Sequence, residues 1–217
     1  MFSSVSVVGR GRVGSAVAAR FEERGLTVRQ TDVELVLLCV PDSVIATVAA
    51  GIPTGPWVAH VSGATRLSAL DPHSRRFSVH PLQTFTRARG PEQLDGAWAA
   101  IGGENSEAKL RGRWVAELLG LKPFDIDEEH RILYHAGAAV ASNFLVTLYR
   151  SASRLFEQAG APPEALVPLM RRTIENGFEL TGPIARGDWA TVSAHLAAIQ
   201  SAAPELEPMY RALAEIT

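Results

Sequence analysis

"VSVVGRGRVGSAVAARF", residues 5–21, joins a short apolar run to a glycine turn and then to an amphipathic stretch. Val5, Val7 and Val8 read as a strand. Val13, Val17 and Phe21 recur at helical spacing and mark the inner face of a helix. Between them stands Gly9-Arg10-Gly11-Arg12-Val13-Gly14. In such a strand-turn-helix each glycine has its own task. Gly9 permits the tight turn, Gly11 lets a pyrophosphate approach the backbone, and Gly14 lets the helix pack on the strand. The helix N-terminus attracts phosphate. This reading assigns Gly9, Arg10, Gly11, Arg12, Val13 and Gly14 to a dinucleotide. The same residues also make a tight turn with no ligand, and the sequence leaves both readings open.

Beyond the turn the chain departs from the usual pattern. A dinucleotide domain expects a second strand ending in an acid, or an arginine for a 2′-phosphate, about 20 residues beyond the glycines. Leu26–Arg29 fits that strand, yet the apolar run Leu35–Val40 comes almost at once. A crossover helix between parallel strands needs about a dozen residues. Gln30 to Glu34 cannot supply one, so the adenosine-binding half is shortened. Asp32 is the one acid near the expected place. Arg10, Arg12 and Arg29 are candidates for a 2′-phosphate, which favours NADP over NAD.

Further strands are expected at Trp57–Val61, Phe77–Val79 and Ala97–Ile101, separated by helical or turn segments. The fold class is therefore α/β, a truncated Rossmann-like parallel sheet, followed by an all-α domain. Ligand crevices in such sheets lie beyond the carboxyl ends of the strands. Val40, Pro41 and Ser62 stand there as cofactor contacts. "SVHPLQTF", Ser78 to Phe85, ends another strand and offers His80 and Gln83 to a substrate. His60 should alternate onto a sheet face and pack.

From Glu128 the pattern is helical only. Glu128 to Gln158 reads as one long helix; others start at Pro162-Pro163, after Asp188, and at Pro204. The domains are thus 1–126 and 127–217, the second a helical substrate and dimerisation domain. "YHAGAAVASNF", Tyr134 to Phe144, combines polar groups with small residues. On an α-helix His135 and Ser142 fall about 20° apart, with Asn143 about 80° from His135. This suits a substrate cleft or, equally, a satisfied polar cluster. In the cleft reading His135 is the general acid, because histidine gives up a proton near neutral pH. Asn143 and Ser142 hold a substrate oxygen. "LTGPIARGD", Leu180 to Asp188, places Arg186 where its paired N–H groups suit a carboxylate; Asp188 reads as a helix cap.

The net charge of -2 over 217 residues gives no reason to expect nucleic acid or an anionic membrane as partner. The single cysteine, Cys39, excludes an internal disulfide and sits in an apolar run, as a buried, inert thiol would. The six histidines show no metal spacing. No signal segment opens the sequence and no apolar run reaches membrane-spanning length. The expectation is a cytoplasmic protein with a small-molecule substrate, no nucleic acid, no membrane and no metal, dimerising through small-residue helices.

The words "GRGRVG", "VPDSVI", "HVSGA", "HPLQTF", "YHAGAAVASNF" and "LTGPIARGD" together resemble a bacterial family of provisionally assigned oxidoreductases. Its members join a Rossmann-like, NADP-oxidoreductase-type domain to a helical domain of unknown function. The wider group is similar to phosphogluconate dehydrogenases, pyrroline-carboxylate reductases and ketopantoate reductases. The resemblance implies NADP and hydride transfer to a small 2-oxo or imino acid, with a ketopantoate-like substrate as one choice. Ketopantoate reductases carry a lysine four residues before the matching asparagine; here Ala139 precedes Asn143. The alternative is a degenerate Rossmann protein that has lost the dinucleotide and binds a metabolite or partner protein.

Overall fold

The apolar runs of the first half form one seven-stranded sheet in a computed structural model that describes all residues, Met1–Thr217. The strands are β1 (Ser4–Val8), β2 (Thr27–Val28), β3 (Leu35–Leu38), β4 (Trp57–His60), β5 (Arg76–Leu82), β6 (Trp98–Gly102) and β7 (Lys122–Asp125), in spatial order β2-β1-β3-β4-β5-β6-β7. Helices α1 (Arg12–Glu23), α2 (Ile45–Ala50) and α3 (Ser106–Leu118) cover it. Successive residues of β3 alternate between two cores. Leu35 and Leu37 join Val17 and Phe21 of α1 and Val115 of α3; Val36 and Leu38 join Ile45 and Ala49 of α2 with Leu67 and Leu70. A sheet buried on both faces explains why its strands read as nearly continuous apolar runs.

The sheet is not wholly parallel as the sequence suggests. β6 runs antiparallel to β5. The segment between them lacks a crossover helix, and a strand that returns from the same edge must run the other way. β7, unassigned in the sequence reading, pairs parallel to β6 and forms the sheet edge. Pro123 hides it as a strand, and an edge is where a sheet tolerates proline.

The shortened region is resolved by register. β2 pairs only with the start of β1, Ser4 with Thr27 and Val5 with Val28. β3 starts at the same level, with Leu35 beside Val5. The chain therefore passes from β2 to β3 around the N-terminal end of β1 and needs no crossover helix. Glu34 fixes this link by accepting from the Ser3 backbone N–H at 2.5 Å, while its own N–H donates to Ser4 Oγ at 3.2 Å.

The chain divides into two compact units, Met1–Ala139 and Val140–Thr217. The division falls inside the segment the sequence reading gives to the helical domain. Helix α4 (Arg131–Ala139) belongs to the first unit. The second unit starts with a π-helical turn, Val140–Phe144, and continues through α5 (Leu145–Gln158), α6 (Leu166–Glu175), α7 (Trp189–Ala202) and α8 (Glu207–Ile216). Asp188 caps α7 as expected, accepting from the Thr191 backbone N–H at 3.1 Å. His195 Nδ1 lies 2.7 Å from Tyr210 Oη, joining α7 to α8.

The expectation that nothing reaches membrane-spanning length is revised. The helix Arg131–Gln158 is 28 residues long, with mean hydropathy 1.3 over its most apolar 18 residues, and is by length and composition able to cross a membrane. No unbroken apolar run marks it in the sequence, because its apolarity is spread over alanines and scattered Leu and Val.

Candidate active site

The ends of β1, β3, β4 and β5 meet at one edge. Cys39 N–H donates to Val8 O at 2.7 Å and Val61 N–H to Leu38 O at 3.2 Å, so Gly9, Val40-Pro41 and Val61-Ser62 extend from adjacent strands. The glycine turn begins here. Gly9 has φ +106°, a conformation open to glycine. A side chain at Gly14 would overlap the carbonyl of Gly9, so only glycine lets α1 start this close to the strand. A Cβ at Gly11 would meet nothing within 4 Å. Gly11 is the N-cap of α1, no side chain caps the helix, and its first turn holds no acid. Its leading N–H groups are thus left for an anion. Val40 lies beside the turn, its Cγ1 3.2 Å from a Cβ built on Gly9. The residues present therefore fit a pyrophosphate.

The adenosine side does not fit in the usual way. Arg29 N–H donates to Val5 O at 3.0 Å, so Arg29 and the link after it sit at the opposite end of β1 from the glycines. The Arg29 side chain donates to Asp32 O. Arg29 therefore does not join Arg10 and Arg12, as the sequence suggested. Their neighbours are Arg87 and Arg89, around a cavity of about 440 Å³ beside Gly11 and α1.

A polar cluster occupies the ends of β4 and β5. His80 Nδ1 lies 2.7 Å from Tyr134 Oη, and the His80 and His135 rings meet edge-on at 5.9 Å. Gly63 makes room for both rings: a Cβ there would stand 2.7 Å from His135 Cδ2 and 2.8 Å from His80 Cε1. Beneath them Arg131, fully buried, donates to Glu128 Oε1 at 3.0 Å, to Ser62 O at 3.1 Å and to Ser78 Oγ. Glu128 in turn accepts from Leu67 N–H at 2.9 Å.

This setting fixes protonation. Burial, with His135 and the Arg131 guanidinium nearby, pushes His80 down to about 4. Burial and Arg131 push His60 down to about 3, and its Nδ1 accepts from Ser62 N–H at 3.2 Å. Burial pushes the Tyr134 phenol up to about 12. At neutral pH the cluster therefore presents neutral imidazoles at positions 60 and 80, a protonated phenol and one fixed cation.

Of the residues singled out in the sequence, the first unit brings His80 and His135 together and sets Gly9 to Gly14 at the same strand edge as Val40 and Pro41. Two others have different duties. Ser62 Oγ donates to Thr65 Oγ1 at 2.9 Å and accepts from Thr65 N–H at 3.0 Å, closing its own turn. Gln83 accepts from Thr84 N–H at 2.8 Å and donates to Gln93 O at 3.1 Å, bracing a loop rather than offering a free amide to a carboxylate. Ser142 and Asn143 lie in the π-helical turn, where i→i+5 bonding overrides the α-helical offsets expected for them. Arg186 is exposed in the turn before α7. His60 packs, as its strand position implied. Cys39 is partly buried, packed against the core, with its thiol pushed up to about 12 by desolvation. No three His, Cys, Asp or Glu side chains are placed to hold a metal ion.

Sequence reasoning misses Tyr134 and Arg131. Tyr134 adjoins His135, and their shared contact with His80 becomes visible only when α4 packs beside β5. Arg131 looks like an ordinary helix cation; its one signal is Glu128, three residues earlier.

Solved structures share this architecture. The chain is similar to BF3122 of Bacteroides fragilis, with 19% identity, TM-score 0.81, 98% of this chain and 96% of that one covered. TM1727 of Thermotoga maritima gives 25% identity and TM-score 0.79, covering 98% and 96%. The 1-pyrroline-5-carboxylate reductase of Streptococcus pyogenes gives 14% identity and TM-score 0.62, covering 98% and 95%. No curated protein matches the chain. Among protein families, residues 97–217 match the domain of unknown function DUF2520. That match takes in β6, α3, β7, the Arg131–Tyr134–His135 segment and all of the second unit, more than half of the chain, and the protein belongs to this family.

Proposed function

We propose that the chain is an oxidoreductase that uses NADP and reduces a small 2-oxo or imino acid. The observation that carries this reading is the glycine turn: Gly9 at positive φ, Gly14 in contact with its carbonyl, and an uncapped helix start beside an open Gly11. Names of structural neighbours agree with it. BF3122 is provisionally named an NADP oxidoreductase, a Streptomyces aurantiacus neighbour is an imine reductase, and a Plasmodium falciparum pyrroline carboxylate reductase has NADP bound.

In this reading the backbone of Gly9 to Gly14 holds the pyrophosphate, and Val40 and Pro41 line the crevice. The nicotinamide supplies the hydride. His135 delivers a proton to the substrate oxygen or nitrogen. His80, held by Tyr134, meets the His135 ring edge-on, and neutral His80 adds no competing charge. Burial, aided by Arg131, keeps His80 neutral. A ketopantoate-like acid is one candidate substrate.

The test is loss of reduced-nicotinamide absorbance with a panel of 2-oxo acids and cyclic imines. Turnover with one of them is expected. A second reading, that the dinucleotide has been lost and a metabolite or partner protein binds instead, is favoured by the short β2. It requires that neither NADPH nor NADH changes the protein's fluorescence at millimolar concentration.

We also propose a homodimer formed through the second unit. Phe144, Leu169, Phe178 and Trp189 are all more than half exposed there, and a second copy would cover them. Light scattering should give twice the chain mass of 23.3 kDa; a monomer would refute this.

A further inference from the structure

The cavity beside α1 is not explained by the glycine turn alone. Its floor is made of small residues on one helix face, Gly11, Ser15, Ala16 and Ala19. Its rim carries four arginines from two distant segments, Arg10 and Arg12 from the turn and Arg87 and Arg89 from the loop after β5. Only Arg89 has a carboxylate nearby, Glu92 at 3.6 Å, and that carboxylate also accepts from Gly90 N–H at 3.0 Å.

The loop that brings Arg87 and Arg89 here is tied down from inside. Gln93, 3% exposed, donates to Arg89 O at 2.7 Å and Gly90 O at 2.9 Å, and accepts from Thr86 N–H at 2.8 Å. Arg20, 4% exposed, reaches out of α1 to Pro91 O at 2.8 Å and Asp95 Oδ1 at 2.5 Å. Gln93 thus fixes the shape of the loop from within, and Arg20, in the last turn of α1, ties its far end to that helix. Like charges gathered on one rim repel, so the arrangement suits a multiply charged anion that relieves them. Guanidinium groups match phosphate oxygens in pairs.

We propose that Arg10, Arg12, Arg87 and Arg89 form a phosphate site, taking either a phosphate of the dinucleotide or that of a free phosphorylated metabolite. In its nucleotide arm the proposal rests on the oxidoreductase reading. There Arg87 and Arg89 replace, from the far side of α1, the contacts that the shortened β2 no longer offers.

Calorimetric titration of the full chain with inorganic pyrophosphate, NADPH and NADH tests it, comparing wild type with the Arg87→Ala/Arg89→Ala variant. Both side chains are exposed, so the variant should melt with the wild type. Loss of about tenfold or more in NADPH affinity with NADH little changed supports a site for the 2′-phosphate. Equal losses for both support a site for the pyrophosphate bridge. If neither nucleotide binds the wild type, but pyrophosphate binds and the variant loses it, the site stands for a free phosphorylated ligand and the oxidoreductase reading falls. The proposal is overturned if none of the three binds the wild type, or if the folded variant binds all that do as tightly as the wild type.

Discussion

The two ends of β1 have been treated differently. At its C-terminal end Gly9, Gly11 and Gly14 keep the geometry that admits a pyrophosphate. At its N-terminal end β2 is cut to Thr27–Val28, and the chain returns at once to β3. The difference separates what the fold needs from what a nucleotide needs. A sheet core requires β1 and β3 side by side, and a short link around the strand end achieves that. Nucleotide enclosure needs a full β2 reaching the glycine edge, and that is the part removed.

The largest effect should come from testing whether the glycines at the intact end serve the fold. Gly14→Ala drives a Cβ into the Gly9 carbonyl, backbone that cannot yield cheaply. It should cost about 3 kcal/mol or more in denaturant unfolding. Gly11→Ala faces open space and should change stability by no more than about 1 kcal/mol, the range of an N-cap change. Equal losses at the two positions would erase the distinction between a packing glycine and a ligand glycine.

The polar cluster at the same edge is tested next. In a working assay His135→Ala should lower turnover by roughly 10²–10⁴-fold with nucleotide affinity nearly unchanged. Unaltered turnover would remove His135 from the chemistry.

Acid sensitivity should arise from His60 and His80. Their folded values, about 3 and about 4, lie below the ordinary 6.5. The stability they confer is complete above pH 6.5. It falls as the pH drops, because the unfolded chain binds protons that the folded one refuses. The decline levels off below their folded values, and together it amounts to several kcal/mol. A stability curve flat between pH 6.5 and 4.5 would show that both rings protonate freely in the fold.

At the shortened end the effect should be smallest. Arg29→Ala and Asp32→Asn lie away from the glycines and should each change NADPH affinity by less than about twofold, a shift under about 0.4 kcal/mol. A tenfold loss would return Arg29 to the ribose and refute the register argument.

Much of this was legible in residue order. The glycine turn, the strands β1, β3 and β4, and the missing crossover helix are local properties, set by alternation, glycine placement and chain length. The features that escaped are non-local. Strand direction in β6 depends on how its connection returns. The partners of Arg131, Tyr134 and Gln83 come from elements 53, 54 and 10 residues away. Arg87 and Arg89 meet Arg10 and Arg12 because buried Gln93 shapes a loop that buried Arg20 binds to α1. No spacing in the sequence announces that meeting.

The central claim is that a phosphate-binding end survives without its adenosine partner. Calorimetric titration of the wild type and Gly11→Val with NADPH and NADH tests it most directly. The account expects weak binding to the wild type, tens of micromolar or worse, roughly −6 kcal/mol or weaker, with NADPH ahead of NADH. It expects no binding to Gly11→Val, which should remain folded. Sub-micromolar affinity for NADH, or binding that survives in Gly11→Val, would contradict it.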